Sequence, residues 1–108
     1  MKVNVQDPTL TVFLRSLSNV RDRIEKLILF GSRARGDEKP YSDYDILIVA
    51  AERDRDLMDA VHDAAIDALL ATGKVVSPKV FRRRDFERFS NIPTPFFRNV
   101  LREGISLG

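Results

Sequence analysis

The segment "LILFGSRARGDEKPYSDYDILIVA", residues 27 to 50, places a Gly-Ser pair and an Asp-x-Asp between two apolar runs. Each half suggests part of one chemistry. Gly31 lets backbone approach an anion closely, and amides at Ser32 and Arg33, opening a short helix, can donate to phosphate oxygens together with the Ser32 hydroxyl. Asp43 and Asp45 are two carboxylates separated by one residue, a spacing that puts both on the same face of a strand and Tyr44 on the other. Two like charges side by side cost stability unless a cation lies between them. Oxygen ligands favour a hard cation such as Mg²⁺, which commonly brings substrate phosphates into its own shell. The combination points to a metal-bound nucleoside triphosphate. Phosphate loops of the Gly-x4-Gly-Lys-Ser/Thr type and dinucleotide loops of the Gly-x-Gly-x-x-Gly type are both missing from the sequence.

The elements that must position these residues follow from hydrophobic period. Leu10, Phe13, Leu14, Leu17 and Val20, after Asp7-Pro8, recur at spacings of three and four and predict a helix over 8–19. "KLILF" (26–30) reads as a strand buried on both faces and ended by Gly31, and "DYDILIVA" (43–50) as a second. Residues 54–72 form the clearest helix, with Leu57, Val61, Ala64, Ala65, Ala68 and Leu69 on one stripe and Gly73 as the stop. "KVVSPKVF" (74–81) predicts a third strand, placed at an edge or bulge because Pro78 has no N–H to donate. Short helices are expected over 83–89 and 96–104, with a turn at 91–95. The order predicts an α/β or α+β domain, a small mixed sheet with helices packed on it. If the first two strands run antiparallel, Gly31 and Ser32 come next to Asp43 and Asp45.

Composition narrows the field. At 108 residues with 44% hydrophobic side chains, the chain is expected to be a single domain, 1–108. It has no cysteine and one histidine, His62, which removes disulfides, thiolate chemistry and His-rich metal centres. His62 itself is read as a surface residue. No membrane span and no signal-like N-terminus stand out, so a cytoplasmic location is expected. Eighteen Lys+Arg against sixteen Asp+Glu give a formal charge of +2, which argues against direct nucleic-acid binding. The run Arg82, Arg83, Arg84 reads as a solvated face. Phe96, Phe97, Val100 and Leu101 read as core packing against the sheet.

"GSRARG" followed by "SDYDILIV", with ten residues (33–42) between Ser32 and Asp43, resembles the Gly-Ser-x10-Asp-x-Asp signature of the DNA polymerase β-like nucleotidyltransferases. Length and flanking strands resemble their minimal branch, small proteins often paired with HEPN-domain toxins. The resemblance implies a nucleotidyltransferase fold and catalytic, metal-binding roles for Asp43 and Asp45. It implies nucleotide contacts from Gly31 and Ser32, to which Arg33 and Ser42 are added as candidates. It further implies Mg²⁺, ATP as substrate, and transfer of AMP to a hydroxyl of a partner protein, a HEPN toxin that the transfer would silence. Self-association is left open. The family carries a third carboxylate on the following strand, whereas "KVVSPKVF" has none; Asp85 and Glu87 would have to reach back, and Lys79 stands near that position. A degenerate module that neutralises its partner by binding alone is therefore the alternative, with transfer to a small molecule or tRNA end a weaker third.

Overall fold

The computed structural model describes residues 7–108. Helix α1 (Pro8–Ser16) starts where Asp7 Oδ1 accepts from the amides of Thr9 and Leu10 at 2.9 and 3.1 Å, with Pro8 in the first turn, where its missing N–H costs nothing. It ends three residues short of the expected boundary. From Leu17 the amides turn to carbonyls three residues back (Ser18 to Arg15, Val20 to Leu17), so the chain tightens and reaches the first strand within a few residues. Leu17 and Val20 stay buried after leaving the helix.

Strand β1 (Ile24–Phe30) leads into the single-turn helix α2 (Ser32–Arg35), and β2 (Tyr44–Ala50) follows. Helix α3 (Arg55–Thr72) is capped by Asp54, whose side chain accepts from Leu57 N at 2.9 Å, and closed by Gly73. Then come β3 (Val76–Arg82), α4 (Arg83–Ser90), α5 (Pro95–Glu103) and the two-residue β4 (Ile105–Ser106). The sheet order is β3-β2-β1-β4, with β1 antiparallel to both β2 and β4, and β2 parallel to β3. The result is a mixed four-stranded α+β sheet, with Pro78 on the edge strand as its chemistry requires. Strand β4 was not foreseen: two residues carry no readable period. It forms because α5 ends against β1 at Gly104, where a Cβ would overlap the Val100 carbonyl and the Ile28 side chain, and Leu107 N then reaches Leu27 O at 2.7 Å.

Each face of the sheet has its own core. On one face α1 and α3 cover Leu27, Leu29, Ile46 and Ile48 with Phe13, Leu17, Leu57 and Val61, while Ala64 and Ala68 let α3 sit close. On the other, Leu47 and Val49 meet Phe86, Phe97 and Val100 from α4 and α5, so the reading of Phe97 and Val100 as core holds; Leu101, however, lies exposed. Leu69, expected on the buried stripe of α3, is also largely exposed, because the helix buries a narrower arc centred on Leu57, Val61, Ala64 and Ala68. Among the described residues no helix is long and apolar enough to cross a membrane.

Candidate active site

Antiparallel register brings the two motif halves together. Phe30, the last residue of β1, stands opposite Asp45, the second residue of β2. The chain then turns at Gly31 with φ 78° and ψ −160°, a conformation that disfavours any side chain. Space forbids one as well: a Cβ at Gly31 would lie 2.5 Å from Asp45 Oδ2. The amides of Ala34 and Arg35 both reach the Gly31 carbonyl at 3.1 Å, which forms the turn that starts at Ser32. Ser32 and Arg33, in that first turn, have no intrahelical acceptor for their own amides.

Tyr44, between the two aspartates, faces the opposite side of β2. It is buried, and its hydroxyl donates to Asp7 Oδ2 at 2.7 Å. Burial first, and then this bond, push its phenol above the ordinary tyrosine range. The same carboxylate caps α1, so one aspartate joins the start of the first helix to the start of β2. Arg33 lies over the other side of the ring, its Cζ 4.0 Å from the centroid. Its Nε donates to Ser42 O at 3.0 Å, and Nη2 approaches the Pro40 carbonyl at 3.4 Å. Ser42 Oγ accepts from Lys39 N at 2.8 Å and closes the loop. Arg33 and Ser42 therefore shape the loop that delivers Asp43, a role the spacing of the motif did not reveal.

Asp45 is half-buried and Asp43 exposed. Burial, and after it the charge of Asp43, raise the Asp45 carboxyl above the ordinary aspartate range, while Lys79 and Arg35 pull it back. A dication between the two carboxylates would relieve both costs. Two carboxylates with water and phosphate oxygens form a donor set that suits Mg²⁺. Arg35 also bridges Asp37 and Glu103, each at 3.3 Å, and so ties α2 to the end of α5.

The third carboxylate does not come from the expected places. Parallel register sets Ser77 beside Asp45 and Lys79 beside Leu47, all on one face, so β3 presents a hydroxyl and an ammonium there. Asp85 is taken by Arg82, whose Nε donates to it at 2.6 Å and holds its carboxyl below the usual range. Glu87 lines a different hollow with Glu52, Arg83 and Arg84. Among the described residues no three His, Cys, Asp or Glu side chains converge as a metal centre.

A mixed sheet whose antiparallel pair sets a glycine turn against Asp45 is a frame chemically suited to holding a metal-bound phosphate chain. The comparisons make the class definite: residues 14–108 match the family described as "Polymerase beta, Nucleotidyltransferase", and the chain belongs to it. It is 42% identical over 100 residues to a Methanocaldococcus jannaschii protein named "Putative protein adenylyltransferase", an alignment covering 92% of this chain and 94% of that one. Among solved structures it is similar to one titled as a toxin-antitoxin with AMP-PNP, at TM-score 0.59 and 21% identity, covering 91% of this chain and 71% of that one. A second, titled as a mutant of the toxin-antitoxin MntA-HpeT, gives TM-score 0.56 and 20% identity over 88% of this chain and 68% of the other. At that identity the solved structures speak for the fold.

Proposed function

We propose that the chain transfers AMP from ATP to a hydroxyl of a partner protein in the cytoplasm, with Asp43 and Asp45 holding Mg²⁺ and the turn at Gly31 and Ser32 receiving the triphosphate. The observation that carries this reading is the contact of Gly31 with Asp45, which leaves no room for a side chain between cradle and carboxylate. The name of the M. jannaschii relative supports protein as acceptor, and the similar toxin-antitoxin structure with AMP-PNP supports an adenine nucleotide. Resemblance of the motif to the minimal nucleotidyltransferases supports a HEPN toxin as the partner and this chain as its antitoxin.

In the transfer the acceptor hydroxyl gives its proton to solvent, its oxygen bonds to the α-phosphorus, the bond from that phosphorus to the bridging oxygen breaks, and pyrophosphate leaves. The metal, when bound, neutralises charge on the phosphates and aligns the displacement. The protein's own part is positional. Gly31 admits the phosphates, Ser32 donates to them, and the Tyr44 and Arg33 contacts fix the carboxylates before substrate arrives. Lys79 and Arg35 add fixed positive charge on the side of Asp45.

Incubation of the chain with Mg²⁺, ATP and the product of the adjacent reading frame should raise the partner's intact mass by one AMP. Asp43→Asn and Asp45→Asn should each abolish the increase. The lack of a carboxylate on β3 favours a second reading, neutralisation by binding alone. A stable complex without mass change, indifferent to both substitutions, would establish that reading instead.

A further inference from the structure

The exposed apolar side chains are unevenly distributed. Seven large ones are exposed among the described residues, and five of them, Tyr41, Ile66, Leu69, Leu70 and Val75, belong to the C-terminal half of α3 and the loops beside it. Ile66 and Leu70 are one turn apart on α3 and point away from its buried arc; Leu70 is 79% exposed. The pole of a surface helix is ordinarily polar. Tyr41, 83% exposed, and Val75 rim a cavity of about 460 Å³ whose walls are Pro40–Ser42 on one side and Thr72–Val75 on the other. Lys74 Nζ, bonded to Pro40 O at 3.2 Å, joins the two walls. Ser42 in that wall immediately precedes Asp43, and Tyr44 N donates to Val75 O at 2.9 Å, so the cavity lies at the end of β2 that carries the candidate active site.

Charge identifies what fits there. Exposed Asp63 and Asp67 run along one flank of the Ile66–Leu70 pair, beyond Asp59, which pairs with Arg55 at 3.9 Å, and no Lys or Arg occurs between Asp56 and Gly73. In a chain of net charge +2, with Lys74 at the cavity beyond it, this flank of α3 is acidic. It repels phosphate backbones and attracts lysine and arginine.

We propose that this face docks the acceptor protein, through a patch of apolar anchors flanked by basic side chains that seats on Tyr41, Leu70 and the cavity and brings the acceptor hydroxyl to Asp43. The inference rests on the reading that the acceptor is a protein. Apolar anchors supply affinity, and the aspartates supply orientation and salt-sensitive association.

The test is binding of the adjacent reading frame's product to the full chain by titration calorimetry, with Mg·ATP affinity and Tm measured on every variant. Leu70→Asp and Tyr41→Ser should each weaken the complex at least 30-fold. The double change Asp63→Lys, Asp67→Lys should weaken it at least tenfold and flatten its salt dependence. All should leave Mg·ATP affinity within twofold of wild type. Leu70→Gln, milder on the helix, should weaken it at least fivefold and guards against misfolding. Wild-type affinity in Leu70→Asp and Leu70→Gln, no binding of the product by the wild-type chain, tighter binding of RNA than of the protein, or a self-association that Leu70→Asp abolishes would each overturn the proposal. A complex that needs Leu70 but shows no AMP transfer would keep the docking surface and discard the catalytic reading; transfer that ignores Leu70 would do the reverse.

Discussion

The two faces of the sheet share one central strand and use it differently. On the α1/α3 face, Ile46, Ile48 and Ala50 of β2 meet an aliphatic layer around Phe13 and Leu57 that covers the strand from end to end. On the α4/α5 face, Leu47 and Val49 are covered by a phenylalanine cluster, with Phe97 in contact with Phe81, Phe86 and Phe96 at 5.0–5.9 Å between centroids. That cluster stops before the strand's first turn. Asp45 is the next residue on the same face, outside that cluster and only half-buried. One strand thus anchors the fold with its even residues and, at one uncovered corner, presents a carboxylate with its odd ones. Period-two alternation makes this division possible, since neighbouring residues serve different faces without conflict.

The largest effect should come from the closed face. Phe13→Ala is expected to cost about 4 kcal/mol in urea unfolding, because the packed aliphatic layer cannot collapse into the void. Phe97→Ala on the open face should cost about 3 kcal/mol, since Phe89 and Phe96 are only partly buried and can shift inward. Equal losses, or a larger one at Phe97, would break the contrast between the faces.

Gly31→Ala sharpens it at the corner. The left-handed backbone and the overlap with Asp45 should together cost about 2 kcal/mol and remove Mg·ATP binding by calorimetry. Tyr44→Phe deletes the bond to Asp7 and should cost about 1 kcal/mol, read by Tm, while α1 keeps its cap through Asp7 Oδ1.

Asp45→Asn should have the smallest effect on stability, with the opposite sign. The folded state holds this carboxyl above its ordinary value, so it binds more protons than the unfolded chain, and stability falls as pH rises through the ordinary aspartate range and the raised value above it. Without metal, the Asn variant should therefore be the more stable at pH 7, by a fraction of a kcal/mol, with the gain vanishing below the ordinary aspartate range. Thermal melts at pH 3 and 7 in chelator check this; saturating Mg²⁺ should reverse the order at pH 7 by stabilising only the wild type.

Much of this architecture was legible in residue order. The strands around Gly31, the helix between Asp54 and Gly73, and the edge or bulge that Pro78 implies each rest on local chemistry that needs no partner. The pairing of cradle and carboxylates was conditional on antiparallel register, which the sequence could pose but not decide. Leu69 and Leu101 misled because period alone does not measure how wide an arc a neighbouring element covers. Strand β4 was illegible because two residues form a strand only when another edge is already there to pair with.

By itself the sequence determined which groups exist for chemistry: hard oxygen ligands, a glycine-serine turn, no thiol, one imidazole. It also determined which segments could become helix or strand, since capping and periodicity act within a few residues. Tertiary structure alone decided that Tyr44 ties β2 to Asp7 at the start of α1, that Gly31 closes against Asp45, and that Ser77 stands beside Asp45. Those outcomes depend on contacts between segments far apart in the chain, where register and distance, and not residue type, select the partner.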